Sequence, residues 1–293
     1  MNTSPSPTTS SPVLQPPAIL LMGSAGVGKT YALSTLAEAG LEVFAIVTEP
    51  TGVESLVDTW QKKKLDISRL HWKQITPTRT GFADMMAMAQ KIGNMTYESL
   101  TKLPPQGNRS QARFIQLLAT LSAFTCDRDG VNYGAVDSFG PSRVLVIDSL
   151  SGLNLMAMDL AVGDKPTAHQ GEWGIAMSAL EKLLNSLSSG LRCTFVLTAH
   201  LDREVDEITG GTRIMASALG RKLAPKLPRF FSEVVHAYRD GSSFYWSTIS
   251  PGVDTKVRTL PLADKITPSF IPVIDAYRAR LTTIEEATKP KTA

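Results

Sequence analysis

Short apolar runs alternate with amphipathic stretches along the chain, and this alternation is its main structural signal. Residues 18–22 form an apolar run ending in a glycine-rich turn, and residues 29–39 follow with helical spacing and Gly40 placed to cap them. Further strands are expected over 41–47, 70–75, 144–147 and 194–199, with a helix over 174–188. Helices near 82–103 and 111–125 are separated by Pro104, Pro105 and Gly107. A loop-rich stretch over 201–229 precedes a hairpin with strands at 233–238 and 244–249 around a turn at 240–242. Strands that alternate with helices predict an α/β fold with a central, mostly parallel sheet flanked by helices and a C-terminal β-hairpin. Met85, Met86, Met88 and Met95 read as core filling.

The first 17 residues carry no charge and are rich in Ser, Thr and Pro, which predicts a disordered arm, 1–17. One domain is expected over 18–280, with a helical insertion at about 76–140, followed by a polar tail at 281–293. The chain has 293 residues, 43% hydrophobic and 19% charged, enough apolar surface for a sizeable core. Its formal net charge of +3 is too small to announce nucleic-acid binding globally, so any basic surface must be local. Two cysteines, Cys126 and Cys193, argue against a disulfide framework or a cysteine zinc site. No apolar run is long enough for a membrane helix, and no signal-peptide pattern opens the chain. These features predict a soluble protein of the cytoplasm with no membrane partner.

The chemistry begins at Gly23-Ser24-Ala25-Gly26-Val27-Gly28-Lys29-Thr30, a complete G-x-x-x-x-G-K-[ST] phosphate loop between a strand and a helix. Its glycines let backbone N–H groups curl around phosphate oxygens, and the helix N-terminus adds partial positive charge. Lys29 is expected to reach the β- and γ-phosphates, and the Thr30 hydroxyl to ligate Mg²⁺. Asp148 ends a buried strand on the ligand side of such a sheet and is the second Mg²⁺-organising residue, directly or through water. Ser149 follows it, so the base that activates water must come from elsewhere. Glu49, at the end of the strand after the phosphate-loop helix, is the candidate. His200, at the tip of the 194–199 strand, is placed to sense the γ-phosphate. His71, His169 and His236 show no metal spacing. Asn-Lys-x-Asp and Ser-Gly-Gly-Gln segments are absent, which excludes the usual guanine reader and the transporter ATPases and leaves ATP as the expected nucleotide.

This combination resembles the RecA-like core ATPases of the P-loop NTPase fold, and more narrowly the compact bacteriophage RecA-fold recombinases and single-strand annealing ATPases. The resemblance covers about 18–275. It is carried by Tyr133-Gly134, Asp148-Ser149-Leu150-Ser151-Gly152-Leu153, Glu172-Trp173-Gly174, Thr198-Ala199-His200, Phe231-Ser232-Glu233-Val234-Val235 and Asp254-Thr255-Lys256-Val257-Arg258. It implies a Mg²⁺-dependent ATPase that assembles on single-stranded DNA as a ring or filament, with ATP sites between subunits, during recombination or annealing. In a phage setting the location would be the cytoplasm of a bacterial host, and a single-strand DNA-binding protein is a further candidate partner. The loops after the Asp and sensor strands, here 157–171 and 201–229, would line the DNA channel.

The second loop has independent support. From 213 to 229 it carries Arg213, Arg221, Lys222, Lys226 and Arg229 and no acid, a pattern that neutralises phosphates without reading sequence. Lys165 is the weaker basic residue of the first loop, and Asp202, Glu204, Asp206 and Glu207 would repel DNA ahead of Gly210-Gly211. Lys256 and Arg258 stand at i and i+2, able to point the same way from an extended segment. By the resemblance they would reach a neighbour's γ-phosphate and stabilise the transition state there. A ring-forming helicase or translocase and a nucleotide-binding annealing scaffold with little turnover remain the alternatives.

Overall fold

The computed structural model describes residues 14–76, 81–96, 98–99, 112–163, 168–205, 212–220 and 222–288. Nine strands are described: β1 (Ala18–Met22), β2 (Glu42–Val47), β3 (Leu70–Gln74), β4 (Arg143–Asp148), β5 (Thr194–Ala199), β6 (Leu201–Val205), β7 (Thr212–Ala216), β8 (Glu233–Asp240) and β9 (Ser243–Ser247). Seven form one sheet in the order β3-β2-β4-β5-β1-β8-β9, parallel except for β9, which returns antiparallel beside β8. β6 and β7 pair with each other as a separate antiparallel ribbon.

Alternation along the strands explains the layers. Val43, Ala45 and Val47 of β2, with Val144 and Val146 of β4, enter one apolar cluster, while Phe44, Ile46, Leu145 and Ile147 enter the other. Strands apolar on both sides need cover on both faces, which is why they read as unbroken hydrophobic runs. One face is covered by α1 (Lys29–Ala32), α2 (Ser34–Glu38), α3 (Gly52–Lys62) and α8 (Ile271–Thr288), through Leu33, Leu36, Trp60 and Ile274. The other is covered by α5 (Ala112–Ser122), α6 (Leu150–Val162) and α7 (Gln170–Gly190), through Leu117, Met156 and Leu184.

Several local expectations change. α4 (Phe82–Gly93) leaves Met85 and Met86 53% and 63% exposed, so they do not fill the core; among the described residues no layer covers them. Met95 is half-buried, and nothing is described of the Met88 side chain. Both ends of the expected first DNA loop are helical, because α6 runs through Val162 and α7 begins at Gln170, where Glu172 reaches back to the His169 N–H at 2.9 Å. The expected loop-rich stretch holds the β6–β7 ribbon and a 3₁₀ segment, Ala224–Phe230. α8 continues through Thr288, across the expected start of the polar tail. Arg221, Lys165, Gly210-Gly211, Pro104, Pro105 and Gly107, residues 1–13 of the arm and 289–293 lie outside the described residues.

Candidate functional site

Parallel strands bring their C-terminal ends to one edge, and in this sheet Met22 pairs with Ala199 and Val47 with Asp148. The residues that follow those ends are therefore neighbours although they lie far apart in the chain. Gly23 opens the phosphate loop, Glu49 follows β2 after Thr48, Ser149 follows β4 and His200 follows β5.

The loop, Gly23 to Thr30, turns directly into α1. Gly28 caps that helix at φ 82°, a left-handed conformation that glycine adopts without Cβ strain. The Lys29 ammonium donates to the carbonyls of Gly23 at 2.7 Å and Ser24 at 2.8 Å, folding back over the loop that would cradle phosphate. Burial pushes the Lys29 pKa down, against the attraction of Asp148 and Glu49. A phosphate would supply the counter-charge that loop carbonyls only partly replace.

Asp148 is buried, 6% exposed, and burial pushes its carboxyl pKa up; the nearby Glu49 charge adds to this, while hydrogen bonds from Thr198 and Thr30 and the Lys29 charge oppose it. Thr198, inside β5, donates to Oδ1, and the Thr30 hydroxyl donates to Oδ2 at 3.0 Å. The carboxylate and the Thr30 hydroxyl are hard oxygen donors side by side in a partly dry site, a set that suits Mg²⁺. A cation there would offset the desolvation of Asp148.

The loop after Asp148 is held from β2. Thr48 Oγ1 accepts the Ser149 N–H at 2.9 Å, and Gly152 in the first turn of α6 packs onto the same threonine. A Cβ on Gly152 would lie 2.2 Å from Thr48 Oγ1, so only glycine admits this approach. The Asp148–Ser149 peptide is cis. Ser149 Oγ donates to Glu49 Oε1 at 3.0 Å, and His200 Nε2 lies 3.4 Å from the same oxygen. From β3, Gln74 Nε2 donates to the Pro50 carbonyl at 2.9 Å and fixes the turn that carries Glu49. The Glu49 side chain is 46% exposed and His200 34%, so this pair faces solvent at the mouth while Asp148 closes the floor.

The structure thus gathers Lys29, Thr30, Asp148, Glu49 and His200 in one crevice. Thr48, Thr198, Gln74 and Gly152 support them and were not singled out for the site from sequence. Phe244 was missed too: its ring, at the start of β9, lies 3.3 Å from where a Gly28 Cβ would stand. An aromatic near the tip of a predicted hairpin was the available signal.

Lys256 and Arg258 do not join this crevice. Lys256 bridges Val234, with backbone N–H···O distances of 3.1 and 2.6 Å, and its ammonium lies 3.3 Å from the Pro228 carbonyl. The Arg258 N–H donates to Glu233, the first residue of β8, which pairs with Ile19 of β1. Ile19 precedes Gly23 by four residues, about 13 Å at the rise of a strand.

The basic residues after β6 spread over two places. Arg213 makes a bidentate pair with Asp254, Nη2 to Oδ2 at 2.6 Å, whereas Lys226 and Arg229 both meet Glu181 of α7; Lys222 is exposed nearby. Elsewhere, His71, Cys126 and Asp129 bring potential metal-ligand atoms within 4.8 Å of one another. The Arg128 guanidinium already sits among them, 2.8 Å from Asp129 and 3.5 Å from His71 Nδ1, and supplies the cation. Among the described residues, no helix is long and apolar enough to cross a membrane.

Comparison with known proteins gives a match to the AAA domain over residues 15–259. No curated protein matches the chain. Among solved structures, a prototypical ATPase from the type III secretion system of pathogenic bacteria is similar at 14% identity and a TM-score of 0.39, over 77% of this chain and 53% of that one. The assembled ATPase EscN, solved with its central stalk EscO from the type III secretion system of enteropathogenic E. coli, is similar at 12% identity and a TM-score of 0.40, over 95% and 56%. The chain spans about half the length of each.

Proposed function

This chain belongs to the AAA domain family of P-loop ATPases, and we propose that it hydrolyses ATP with Mg²⁺ between assembled copies of itself on single-stranded DNA, in recombination or strand annealing of the phage type. The observation that carries this reading is the sharing of Glu49 Oε1 by Ser149 and His200, with the β6–β7 ribbon beginning at the residue after His200. The group suited to activate water is thus joined by one histidine to a ribbon whose exposed end carries Arg213.

The chemistry follows from position. The phosphate loop and Lys29 bind the β- and γ-phosphates, and Thr30 with Asp148 would hold Mg²⁺, which neutralises charge on the phosphate oxygens. Glu49 orients water and takes its proton, with Ser149 and His200 fixing the carboxylate. These groups lie on the β2–β4–β5 side of β1, so the nucleoside end of the ligand leaves over β8 and β9. There the Phe244 ring, 43% exposed, offers a face to the base.

Lys256 and Arg258 lie beside the first residues of β8, toward the opposite end of the strands from the phosphate loop, which supports their action on a neighbour's γ-phosphate. Arg213, Lys226 and Arg229 would exchange their acidic partners for DNA phosphates, with Lys222 and Arg221 adding charge. Steady-state ATPase rates with and without single-stranded DNA test the reading, on the wild type, Lys29→Ala and Glu49→Gln. Stimulation by DNA that both substitutions abolish is expected. Activity independent of DNA, in a protein that does not bind DNA, sinks it.

A further inference from the structure

We propose that Glu233 is a positioning residue for Lys256 and Arg258, holding the segment that presents them to the neighbouring subunit; this rests on their action in trans proposed above. Glu233 opens β8 and is 1% exposed, a carboxylate buried beside the apolar Val234 and Val235. Its oxygens accept main-chain N–H groups from the segment beyond β9: Arg258 N lies 3.2 Å from both oxygens, and Thr259 N lies 2.8 Å from Oε1. The contact therefore fixes the direction of the backbone at Arg258 and leaves its side chain free.

Other contacts hold the same segment, and their pattern explains why an acid is needed. Upstream, Ile214 of β7 bonds to Gly252 at 2.7 Å and Asp254 to Ile214 at 3.2 Å. In the middle, Lys256 bridges Val234 and Val257 packs against the core. Downstream, Arg280 of α8 donates to the Thr259 hydroxyl at 2.9 Å. Past the Lys256 bridge, no strand among the described residues faces the N–H groups of Arg258 and Thr259. Both N–H groups meet Oε1 and that of Arg258 also meets Oε2, so an amide that keeps its oxygen at the first position turns its NH₂ donor toward the Arg258 N–H. Lys256 and Arg258 remain exposed on the segment so fixed.

Subunit mixing tests this in the full-length protein. Glu233→Gln alone is expected to lose kcat roughly a hundredfold, the effect of a misplacement of about 1 Å, with nucleotide affinity unchanged because its own phosphate loop is intact. Mixed one to one with the inactive Lys29→Ala variant before DNA and ATP are added, it should regain about a quarter of the wild-type rate, the random share of interfaces joining an intact loop to an intact basic pair. Arg258→Ala mixed with Lys29→Ala serves as the reference. If that reference pair regains nothing, action in trans fails and the proposal falls with it. If the reference pair recovers and the Glu233→Gln pair does not, the positioning role alone is overturned. Glu233→Asp, which keeps the charge but draws it back, is run in parallel. Loss of nucleotide binding in both Glu233 variants would make this a folding residue and overturn the proposal.

Discussion

Replacing Thr198 with valine removes one hydroxyl from the floor of the crevice while keeping the side-chain volume. Thr198 is fully buried in β5 and donates to Asp148 Oδ1, and the Thr30 hydroxyl is the other side-chain donor to that carboxylate. A hydrogen bond to a charged group contributes about 1.5–3 kcal/mol, and leaving a buried acceptor without its donor costs a similar amount. Thr198→Val should therefore destabilise the fold by about 2 kcal/mol at neutral pH, a fall in Tm of roughly 4–8 °C for a domain of this size.

The sign of the pH dependence separates this from a packing defect. Burial already raises the Asp148 pKa in the folded state. The folded protein thus binds the proton more tightly than the unfolded chain, and this contribution to stability is full below the ordinary aspartate range and lost as pH rises through the folded value. Without Thr198 the carboxylate is harder to ionise still, so the loss in the variant exceeds that in the wild type. The difference between the two should stay flat through the ordinary aspartate range, about pH 4, and widen only as pH rises through the raised folded value of the wild type. Urea melts of both proteins across that range, without nucleotide or metal, measure it. A difference that stays the same from the acid limb to neutral pH would refute the claim that Thr198 supports the ionised Asp148. Added Mg²⁺ should stabilise both proteins at neutral pH, because it supplies the missing counter-charge.

Two further outcomes follow from close contacts in the same region. Gly152→Ala puts a methyl group 2.2 Å from Thr48 Oγ1, which must move from the Ser149 N–H; a loss of about 1–3 kcal/mol in melts and a lower kcat are expected. Phe244→Ala should weaken ATP binding by about 0.5–1.5 kcal/mol through the lost stacking face and leave inorganic triphosphate binding unchanged. Competition titration with the two ligands distinguishes this from a disturbed phosphate loop, in which both would weaken.

How much of the site was legible depends on how local its physics is. The phosphate loop lies within eight consecutive residues, from Gly23 to Thr30, because a turn and a helix N-terminus are both short-range objects. Asp148, Glu49 and His200 were legible at one remove: each follows an apolar run, and parallel strands of one sheet must end at a common edge. Thr48, Gln74 and Thr198 are ordinary residues of strands and strand ends, and they acquire roles only because β2, β3, β4 and β5 lie side by side. The β6–β7 ribbon was read as loop because β6 is mostly charged and β7 buries only Met215 and Ala216 at its end, too short a run to impose alternation. The α4 methionines were read as core because their spacing is apolar, whereas burial depends on whether another layer faces the helix.

The sequence by itself determined the α/β class, a central, mostly parallel sheet and the phosphate loop, since hydrophobic periodicity and glycine placement act through neighbours in the chain. Only the tertiary structure decided the order β3-β2-β4-β5-β1-β8-β9, and with it what each carboxylate touches. Glu233 makes the point most sharply. In sequence it is one acid at the head of an apolar strand. In the fold it is a buried acceptor for two amides about 25 residues further along the chain, because its electrostatics follow from which backbone N–H groups the sheet edge leaves unpaired.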